Sequence, residues 1–185
     1  MFKIYIGDFM FESGLTRKID GLGRLVIPKE IRDRFFIHEN DYLEFLIYRD
    51  GFYVRKYSRL GKITSLAQEL CDTLNKYLNA EVLIAERDKV VAYSGIYKDK
   101  YLGKEISKSL SKSIRRRESL FEIYKKKLQI IEDDDIICSY INETIVSNCE
   151  EVGIISLYRT DKSVTETDLK IINIVSSFLT RYLEE

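Results

Sequence analysis

Apolar and polar residues follow strand-like and turn-like patterns over the first third of the chain. Residues 16–19 and 24–27 have strand character and flank the run Asp20-Gly21-Leu22-Gly23, whose two glycines are free to adopt positive φ. This order predicts a β-hairpin. Pro28 suits the first position of a helix because its φ is already set, and apolar residues follow it at a spacing of four. A short helix is therefore predicted directly after the hairpin.

A second hairpin is predicted from residues 42–49 and 52–57, which are joined by Asp50-Gly51. This dipeptide favours a type I′ turn because both central residues need positive φ, and the turn would place Ile47 opposite Val54. A unit of this size, without a metal or disulfide pattern, rarely buries enough apolar surface to fold alone. Two copies are therefore expected to complete one core.

The pattern becomes helical after a short predicted hinge at residues 59–61. Apolar residues recur at helical spacing over about 62–78, and two strand-like runs follow at 81–86 and 90–94 with a tight turn between them. A basic amphipathic helix is predicted over 104–117, where lysines recur four apart on one face. This helix has two interpretations, a solvated surface helix or a second, weaker contact to DNA.

The last part of the chain predicts two strands and a long helix. An acidic loop at 132–135 precedes a strand at 136–142, and the apolar run at 150–159 is typical of a buried central strand. Thr165 and Asp168 have the spacing of a capping box, which predicts the start of a helix that extends to about Leu183. The apolar arc of this helix is too broad for contact with one sheet, so part of it is expected to pack on a second protomer.

Composition narrows the class of protein. The 185 residues are 45% hydrophobic and 32% charged, which suits one or two soluble domains. The chain has no apolar run of membrane-spanning length and no signal peptide at its start, so a cytoplasmic location is expected. Cys71, Cys138 and Cys149 are widely spaced and accompany a single histidine, which excludes a zinc pattern and predicts reduced, buried or half-buried thiols. Neither a metal nor a cofactor is expected.

Charge is concentrated in one stretch although the chain as a whole has a formal net charge of zero. Residues 16–34 hold six cations: Arg17, Lys18, Arg24, Lys29, Arg32 and Arg34. Such side chains can neutralise DNA phosphates with release of counterions, and arginines can also donate to guanine edges. The stretch therefore predicts contact with double-stranded DNA.

The run RKIDGLGRLVIPKEIRDRF, residues 17–35, resembles the signature of the transition-state-regulator family of swapped-hairpin DNA-binding domains. In that family two protomers interleave their hairpins into one barrel, and arginines of the loops and the short helix contact DNA. The resemblance implies DNA contacts at four positions: Arg17, Lys18, Arg24 and Arg32. One departure is Asp33, followed by Arg34, at the position where the family often has a second arginine.

The order of elements after residue 62 resembles a GAF domain, and the placement of the basic motif before it resembles sporulation regulators of endospore-forming bacteria. The resemblance implies an α+β protein: an N-terminal swapped-hairpin β-barrel formed by two chains, and a C-terminal GAF-like domain with an antiparallel sheet and flanking helices. It also implies a homodimer through the first domain, a tetramer through the second, and a small-molecule ligand. Four tyrosines either line a ligand pocket or pack as core: Tyr93, Tyr97, Tyr101 and Tyr140.

The predicted organisation is an extension at 1–9, a DNA-binding domain at 10–58, the hinge at 59–61 and a GAF-like sensor and oligomerisation domain at 62–185. Met10 stands where related chains begin, so residues 1–9 are expected to be disordered or dispensable, with Met10 as the natural start. No enzyme activity is predicted. The alternatives are an antitoxin, a GAF-type redox enzyme that uses two of the cysteines, and a scaffold without a ligand.

Overall fold

The computed structural model describes residues 15–39, 41–49 and 51–184. The predicted extension at 1–9 and the predicted start at Met10 lie outside these residues. The chain divides into two compact units, Met1–Tyr57 and Ser58–Glu185.

The N-terminal unit contains helix α1 (Lys29–Arg34) and the antiparallel strands β1 (Leu43–Tyr48) and β2 (Gly51–Lys56). The second predicted hairpin is confirmed, but its predicted register is wrong, because Val54 lies opposite Phe45 instead of Ile47. Arg49 adopts a left-handed φ of 49° and Gly51 is already paired in β2, so the turn is centred one residue earlier than predicted. A shift of two residues leaves each side chain on its predicted face.

The first predicted hairpin is present only as a turn. The amide of Gly23 donates to the carbonyl of Asp20 at 3.0 Å and the amide of Asp20 donates to the carbonyl of Arg24 at 3.1 Å, yet residues 16–19 and 24–27 form no strand within one chain. The physical reason is the lack of a supporting core: among residues 15–39, 41–47, 49 and 51–57, none is buried. Large apolar side chains such as Leu22 and Val26 are more than two thirds exposed.

The C-terminal unit opens with a 3₁₀ helix and then alternates helices with a five-stranded sheet. Its elements are the 3₁₀ helix Leu60–Ile63, α2 (Thr64–Leu78), β3 (Glu81–Glu86), β4 (Val90–Ser94), α3 (Lys98–Tyr101), α4 (Lys108–Arg115), β5 (Leu120–Gln129), β6 (Asp135–Ser147), β7 (Glu150–Arg159) and α5 (Glu166–Glu184). The strand order is β4-β3-β7-β6-β5, and every neighbouring pair is antiparallel. The predicted antiparallel sheet with flanking helices is confirmed.

Strands β3, β4 and β7 have the predicted bounds, and β7 is central as predicted. Strand β5 was not predicted because its apolar alternation is interrupted by a wide irregularity, where Glu122 pairs with Tyr140 and Lys126 already pairs with Cys138. The basic helix was predicted too long, since regular helix covers only α4. Arg117 ends it with a left-handed φ of 54°.

The sheet separates two apolar layers. Alternate residues of β3 point to opposite faces, so Val82 and Ile84 pack with α2 and α5, whereas Leu83 and Ala85 belong to the layer that contains residues of α3 and α4. Both faces of the central strands are therefore buried, which explains their nearly continuous apolar sequences.

The residues predicted as a hinge are anchored in the C-terminal unit. Leu60 is fully buried. It packs where β7 has Gly153: a Cβ at that glycine would lie 2.2 Å from the carbonyl oxygen of Ala85 and 2.6 Å from Leu60 Cδ1. Ser58 Oγ donates to Glu86 Oε1 at 2.5 Å, and Arg59 Nη1 donates to a carbonyl of β6 at 3.0 Å. Burial and hydrogen bonding therefore fix the segment that was predicted as a hinge to the C-terminal unit.

A buried ion pair joins β7 to the start of α5. Arg159 donates from Nη1 and Nη2 to the two carboxylate oxygens of Asp168 at 2.5 and 2.9 Å, and Nη2 also donates to the carbonyl of Leu78 at the end of α2. Asp168 further accepts the amide and hydroxyl of Thr165, so the predicted capping box is confirmed. Burial alone raises the pKa of Asp168, but the hydrogen bonds from Arg159 and Thr165 outweigh it and leave that pKa below its ordinary value.

We predict that Asp168→Asn destabilises the C-terminal unit by about 3 kcal/mol or more at pH 7, because it leaves the Arg159 guanidinium buried without its counter-charge. The lowered pKa of Asp168 means that the native carboxylate contributes stability above about pH 4 and that this stability is lost as pH falls through the folded-state pKa. The gap between wild type and variant should therefore narrow under acid. Urea unfolding of the full chain between pH 3 and pH 7 measures both effects.

Glu166→Gln is the matched control, because Glu166 lies in the same helical turn and is exposed. Its effect should stay within about 0.5 kcal/mol. Equal stabilities of the two variants at pH 7 would show that the buried pair does not hold α5.

Candidate nucleic-acid interface

The carboxylate of Asp20 organises the turn at the centre of the basic stretch. Its Oδ1 accepts the amides of Leu22 and Arg24 at 3.0 and 2.8 Å, and its Oδ2 accepts Arg24 Nε at 2.7 Å. Gly23 supplies the positive φ of 78° that the turn requires. Hydrogen bonds from the backbone and the side chain of Arg24 lower the pKa of Asp20, so the carboxylate is ionised at neutral pH.

The turn presents three of the six predicted cations. The Arg24 side chain is 73% exposed, and its Nε is the nitrogen that donates to Asp20. Arg17 donates from Nη1 to the carbonyl of Thr16 at 3.0 Å, and Lys18 is exposed next to it. The structure therefore places Arg17 and Lys18 on the chain that enters the turn and Arg24 on the chain that leaves it.

Helix α1 presents the other three cations, Lys29, Arg32 and Arg34, which are all exposed. Pro28, predicted at the first helical position, is instead the N-cap residue that directly precedes α1, with φ −55° and ψ 147°. Asp33 is also exposed, so the acid that replaces the family's second arginine lies among these cations.

The second hairpin fixes the end of α1. Lys56 Nζ donates to the carbonyl of Phe36 at 3.0 Å and forms an ion pair with Asp41 at 3.1 Å. Asp41 in turn accepts the amide of His38 at 2.8 Å. Because Phe36 follows α1 and takes a left-handed φ of 51°, these contacts set the direction in which the chain leaves the helix.

Ion pairing distinguishes the cations of the N-terminal unit. Arg55 pairs with Glu44 at 2.8 Å and Lys56 pairs with Asp41, so the cations of β2 have acidic partners. Within residues 15–39, 41–49 and 51–184, four of the predicted site residues have no ion pair: Arg17, Lys18, Lys29 and Arg32. An exposed cation without an acidic partner retains its full capacity to bind a phosphate.

Comparison with known proteins covers both units. Residues 62–184 match the family model described as stage V sporulation protein T C-terminal, transcription factor. The chain is 36% identical to stage V sporulation protein T of Bacillus subtilis (strain 168) over 95% of its own length and 100% of that protein. The chain belongs to the stage V sporulation protein T family. The prediction of a sporulation transcription regulator with a C-terminal GAF domain is confirmed.

The basic stretch has matches of its own. Residues 16–62 match the model described as antidote-toxin recognition MazE, bacterial antitoxin. Over 49 residues the chain is 43% identical to the transition state regulatory protein AbrB of Bacillus subtilis (strain 168), which covers 26% of this chain and 51% of AbrB. The predicted resemblance of residues 17–35 to the transition-state-regulator family is thereby confirmed.

Solved structures show the fold of the C-terminal unit. The GAF domain region of a putative membrane protein from Geobacter sulfurreducens PCA superposes with a TM-score of 0.53 at 16% identity, over 68% of this chain and 95% of that chain. A type II free methionine-R-sulfoxide reductase from Thermoplasma acidophilum gives 0.51 at 17% identity, over 67% of this chain and 94% of that chain. At these identities the likeness establishes the GAF fold alone.

The tyrosines predicted either to line a pocket or to pack as core are mostly buried in this GAF unit. Tyr93 and Tyr101 are fully buried, with ring centroids 5.4 Å apart, and Tyr140 is buried beside them, whereas Tyr97 is exposed. The hydroxyl of Tyr93 lies 2.6 Å from that of Tyr158, a residue that the sequence did not single out. Tyr101 donates to Asp134 Oδ2 at 2.5 Å. Core packing is therefore what the structure shows for three of the four.

The cysteines do not come together. Cys71 and Cys138 are buried on opposite faces of the sheet, as predicted for small apolar residues, and burial raises the pKa of Cys138 to about 12. The prediction for Cys149 is wrong, because it is exposed in the turn between β6 and β7. Asn148 and Cys149 both take left-handed φ there, as a two-residue hairpin turn requires. Because Cys71 and Cys138 lie on opposite faces of the sheet, these two cysteines cannot form the dithiol that the redox alternative needs.

Two further observations concern the part of the chain that the structure describes. In that part, no group of three or more His, Cys, Asp and Glu side chains is placed to hold a metal ion. None of its helices combines the length and the apolar character needed to cross a membrane.

We predict that Asp20→Ala weakens DNA binding about fivefold or more. Simple electrostatics gives the opposite sign, because removal of an acid from a basic surface should tighten binding to phosphates. Weaker binding therefore reports the loss of the three hydrogen bonds that hold Arg24 and the turn. Fluorescence anisotropy with labelled duplex DNA measures the change.

Asp33→Asn is the matched control, since it removes an exposed acid from the same stretch without a turn to support. It should leave affinity equal or slightly higher. Tighter binding by both variants would show that Asp20 has no positioning role.

Proposed function

We propose that this member of the stage V sporulation protein T family binds double-stranded DNA through residues 16–34 of paired protomers and assembles further through its GAF units. The observation that supports it best is that four exposed cations of the turn and α1, namely Arg17, Lys18, Lys29 and Arg32, form no ion pair within the described part of the chain. In the same unit the cations Arg55 and Lys56 are paired with acids. Unpaired positive charge held on an ordered turn is what contact with a polyanion requires.

The geometry supports two kinds of proposed DNA contact. Arg17, Lys18 and the residues of α1 would neutralise phosphates, which sets register and affinity but does not read sequence. Arg24 differs because Asp20 fixes its Nε, leaving the terminal nitrogens to donate together. A guanidinium held in this way is suited to bidentate donation to a guanine edge. We therefore assign base contact to Arg24.

The N-terminal unit would fold as a swapped-hairpin barrel of two chains. Among residues 15–39, 41–47, 49 and 51–57 none is buried, and a set of large apolar side chains is exposed: Leu15, Ile19, Leu22, Leu25, Val26, Phe45 and Ile47. A second copy would bury these side chains and supply hydrogen-bond partners for residues 16–19 and 24–27, which pair too little within one chain to form strands. The DNA surface would then carry the cations of both protomers.

The GAF units would pair through α5. Ile172 and Leu179 are buried against the sheet, whereas Ile174, Phe178 and Tyr182 are 68%, 45% and 47% exposed. These three residues are four apart, so they form one apolar stripe along the helix, and the rings of Phe178 and Tyr182 are 5.9 Å apart. A matching stripe on a second copy would cover it. When the N-terminal units and the GAF units pair with different copies of the chain, the assembly is a homotetramer with two DNA-binding barrels.

An antitoxin role is the second candidate, because residues 16–62 match an antitoxin model. That match ends before α2, and the following GAF fold occupies the position where an antitoxin would need a segment for its toxin. Stage V sporulation protein T of Bacillus subtilis instead aligns with 95% of this chain, a length that includes both units. The regulator is therefore the better supported function.

Replacement of Arg17 and Arg24 by glutamine together should abolish operator discrimination and weaken binding. Because Arg17 is the phosphate contact of this pair and a dimer carries two copies of it, the plot of log affinity against log salt should become shallower by about 2. Equilibrium binding to sporulation-gene promoter DNA across a salt series measures the slope, with circular dichroism and sedimentation to show that fold and assembly are kept.

Arg49→Gln with Arg55→Gln removes the same charge from the second hairpin and serves as the control. It should leave the slope within about 1 of wild type. If both double variants flatten the slope equally, overall charge rather than the turn governs binding.

Ile174→Ser with Phe178→Ser should convert the tetramer to a dimer, because it removes the centre of the α5 stripe. Sedimentation equilibrium gives the mass, and the buried face of α5 is untouched, so helicity should be unchanged. Lys170→Ser with Asn173→Ser, on exposed polar positions of the same helix, should remain tetrameric. An unchanged mass for the first pair would exclude α5 as the interface.

A further inference from the structure

Helix α4 carries a row of cations on the face turned away from the sheet. Leu110 and Ile114 bury its apolar side, while Lys108, Lys112 and Arg115 are exposed at spacings of four and three. The helix sequence, KSLSKSIR, contains no acid. We call these three exposed residues the α4 ridge.

The side chains of the ridge are distinguished from neighbouring cations because they form no ion pairs, although the backbone amide of Lys108 donates to Glu132 Oε1 at 2.7 Å. Arg116 pairs with Glu118, and Arg117 donates to the carbonyl of Cys149 at 2.6 Å and lies 3.6 Å from Glu151. Across the residues that the structure describes, Lys108, Lys112 and Arg115 form no ion pair.

Overall charge does not explain the ridge. Residues 58–185 contain 20 lysines and arginines against 21 aspartates and glutamates, so the C-terminal unit has a formal charge of −1. Within it, the ridge concentrates three unpaired cations on eight residues. In a unit with nearly equal numbers of acids and cations, some of these exposed side chains would be expected to form ion pairs.

The ridge is held rigidly on the sheet. Ser107 Oγ accepts the amide of Leu110 at 3.0 Å and donates to the carbonyl of Gln129 at 2.7 Å, which fixes the first turn of α4 to the end of β5. Ser111 Oγ donates to the carbonyl of Arg87 at 3.0 Å. The position of the cations is therefore set by the core of the GAF unit, and binding them would cost little backbone ordering.

The length of the ridge allows it to meet more than one phosphate. From Lys108 to Arg115 the helix rises about 10 Å, which is long enough to meet about two to three neighbouring phosphates of duplex DNA. Between the cations lie serines, of which Ser109 is exposed, and such small side chains allow a broad polyanion to approach the helix closely. Lysines in this arrangement neutralise phosphates but do not read bases.

We propose that the α4 ridge is a second DNA contact, which binds the phosphate backbone of duplex DNA outside the segment recognised by residues 16–34. The proposal rests on the proposed function, because DNA held by the N-terminal units raises the effective concentration of phosphates near the ridge. The ridge thereby adds affinity that is independent of sequence and depends on the length of the duplex.

The test uses the full-length chain with Lys108→Gln, Lys112→Gln and Arg115→Gln combined. Glutamine has a similar helix propensity and the positions are exposed, so the fold should be kept. Two probes are compared across a salt series: a duplex of about 60 bp that the wild type selects from random-sequence DNA, and the same duplex trimmed to the shortest length that it still binds. On the long duplex, the variant's plot of log affinity against log salt should be shallower than that of wild type by about 2 to 3 for each ridge that contacts DNA. On the trimmed duplex the two slopes should be equal.

Two controls make the result specific. Lys125→Gln, Lys126→Gln and Lys127→Gln remove the same charge from exposed positions of β5 and should leave both slopes unchanged. Lys108→Arg with Lys112→Arg keeps the charge and should retain the slope of the long duplex.

Unchanged binding of the ridge variant to the long duplex would overturn the proposal, and so would an equal loss in the β5 control. A larger loss on single-stranded RNA of the same length than on the duplex would assign the ridge to RNA instead. Failure of the proposed function is a separate outcome: it appears when Arg17→Gln with Arg24→Gln leaves binding to the trimmed duplex unchanged, whatever the ridge variant does.

Discussion

The buried ion pair of Arg159 and Asp168 joins three elements of the C-terminal unit: β7, α5 and the end of α2. Arg159 ends the central strand, Asp168 lies in the first turn of α5, and the same guanidinium binds the last carbonyl of α2. Two charges removed from water are stable only when their hydrogen bonds are satisfied, and here the capping residue Thr165 completes the shell. The pair thus fixes the helix that carries the exposed stripe proposed for assembly.

Both free edges of the sheet are protected against further strands, which favours assembly through helices. At β4, the side-chain amide of Gln68 donates to the carbonyl of Tyr93 at 2.9 Å and accepts its amide at 3.3 Å, so α2 replaces a neighbouring strand. At β5, the irregularity between Glu122 and Lys126 breaks the ladder, and lysines line the edge. The exposed apolar stripe of α5 remains as a surface that a second copy can cover. Pairing of two such helices buries apolar side chains and requires no unpaired backbone N–H or C=O groups of a strand.

A neutral chain achieves contact with a polyanion by arranging which charges are paired. Acids neutralise the cations of β2 as well as Arg116 and Arg117 after α4. Among the described residues, by contrast, Arg17, Lys18, Lys29, Arg32 and the side chains of the α4 ridge form no ion pair. Asp20 is the instructive exception. Its carboxylate binds Arg24 and thereby orders the turn, so one negative charge within the basic stretch serves to position a positive one.

Features that depend on short-range pattern could be predicted from the residues alone: the basic motif, strands β3, β4 and β7, the turn at Asp20 and the capping box at Thr165. Each of them follows from residues a few positions apart. Contacts between residues far apart along the chain became known only from the folded structure. Asp168 was predicted as a helix cap, but its pairing with Arg159 requires β7 and α5 to meet, and Tyr158 joins Tyr93 only across the sheet. For the same reason the sequence could not distinguish Arg117, which other elements neutralise, from Arg115, which they leave exposed. Periodicity sets which face a side chain occupies, whereas long-range packing sets what it meets there.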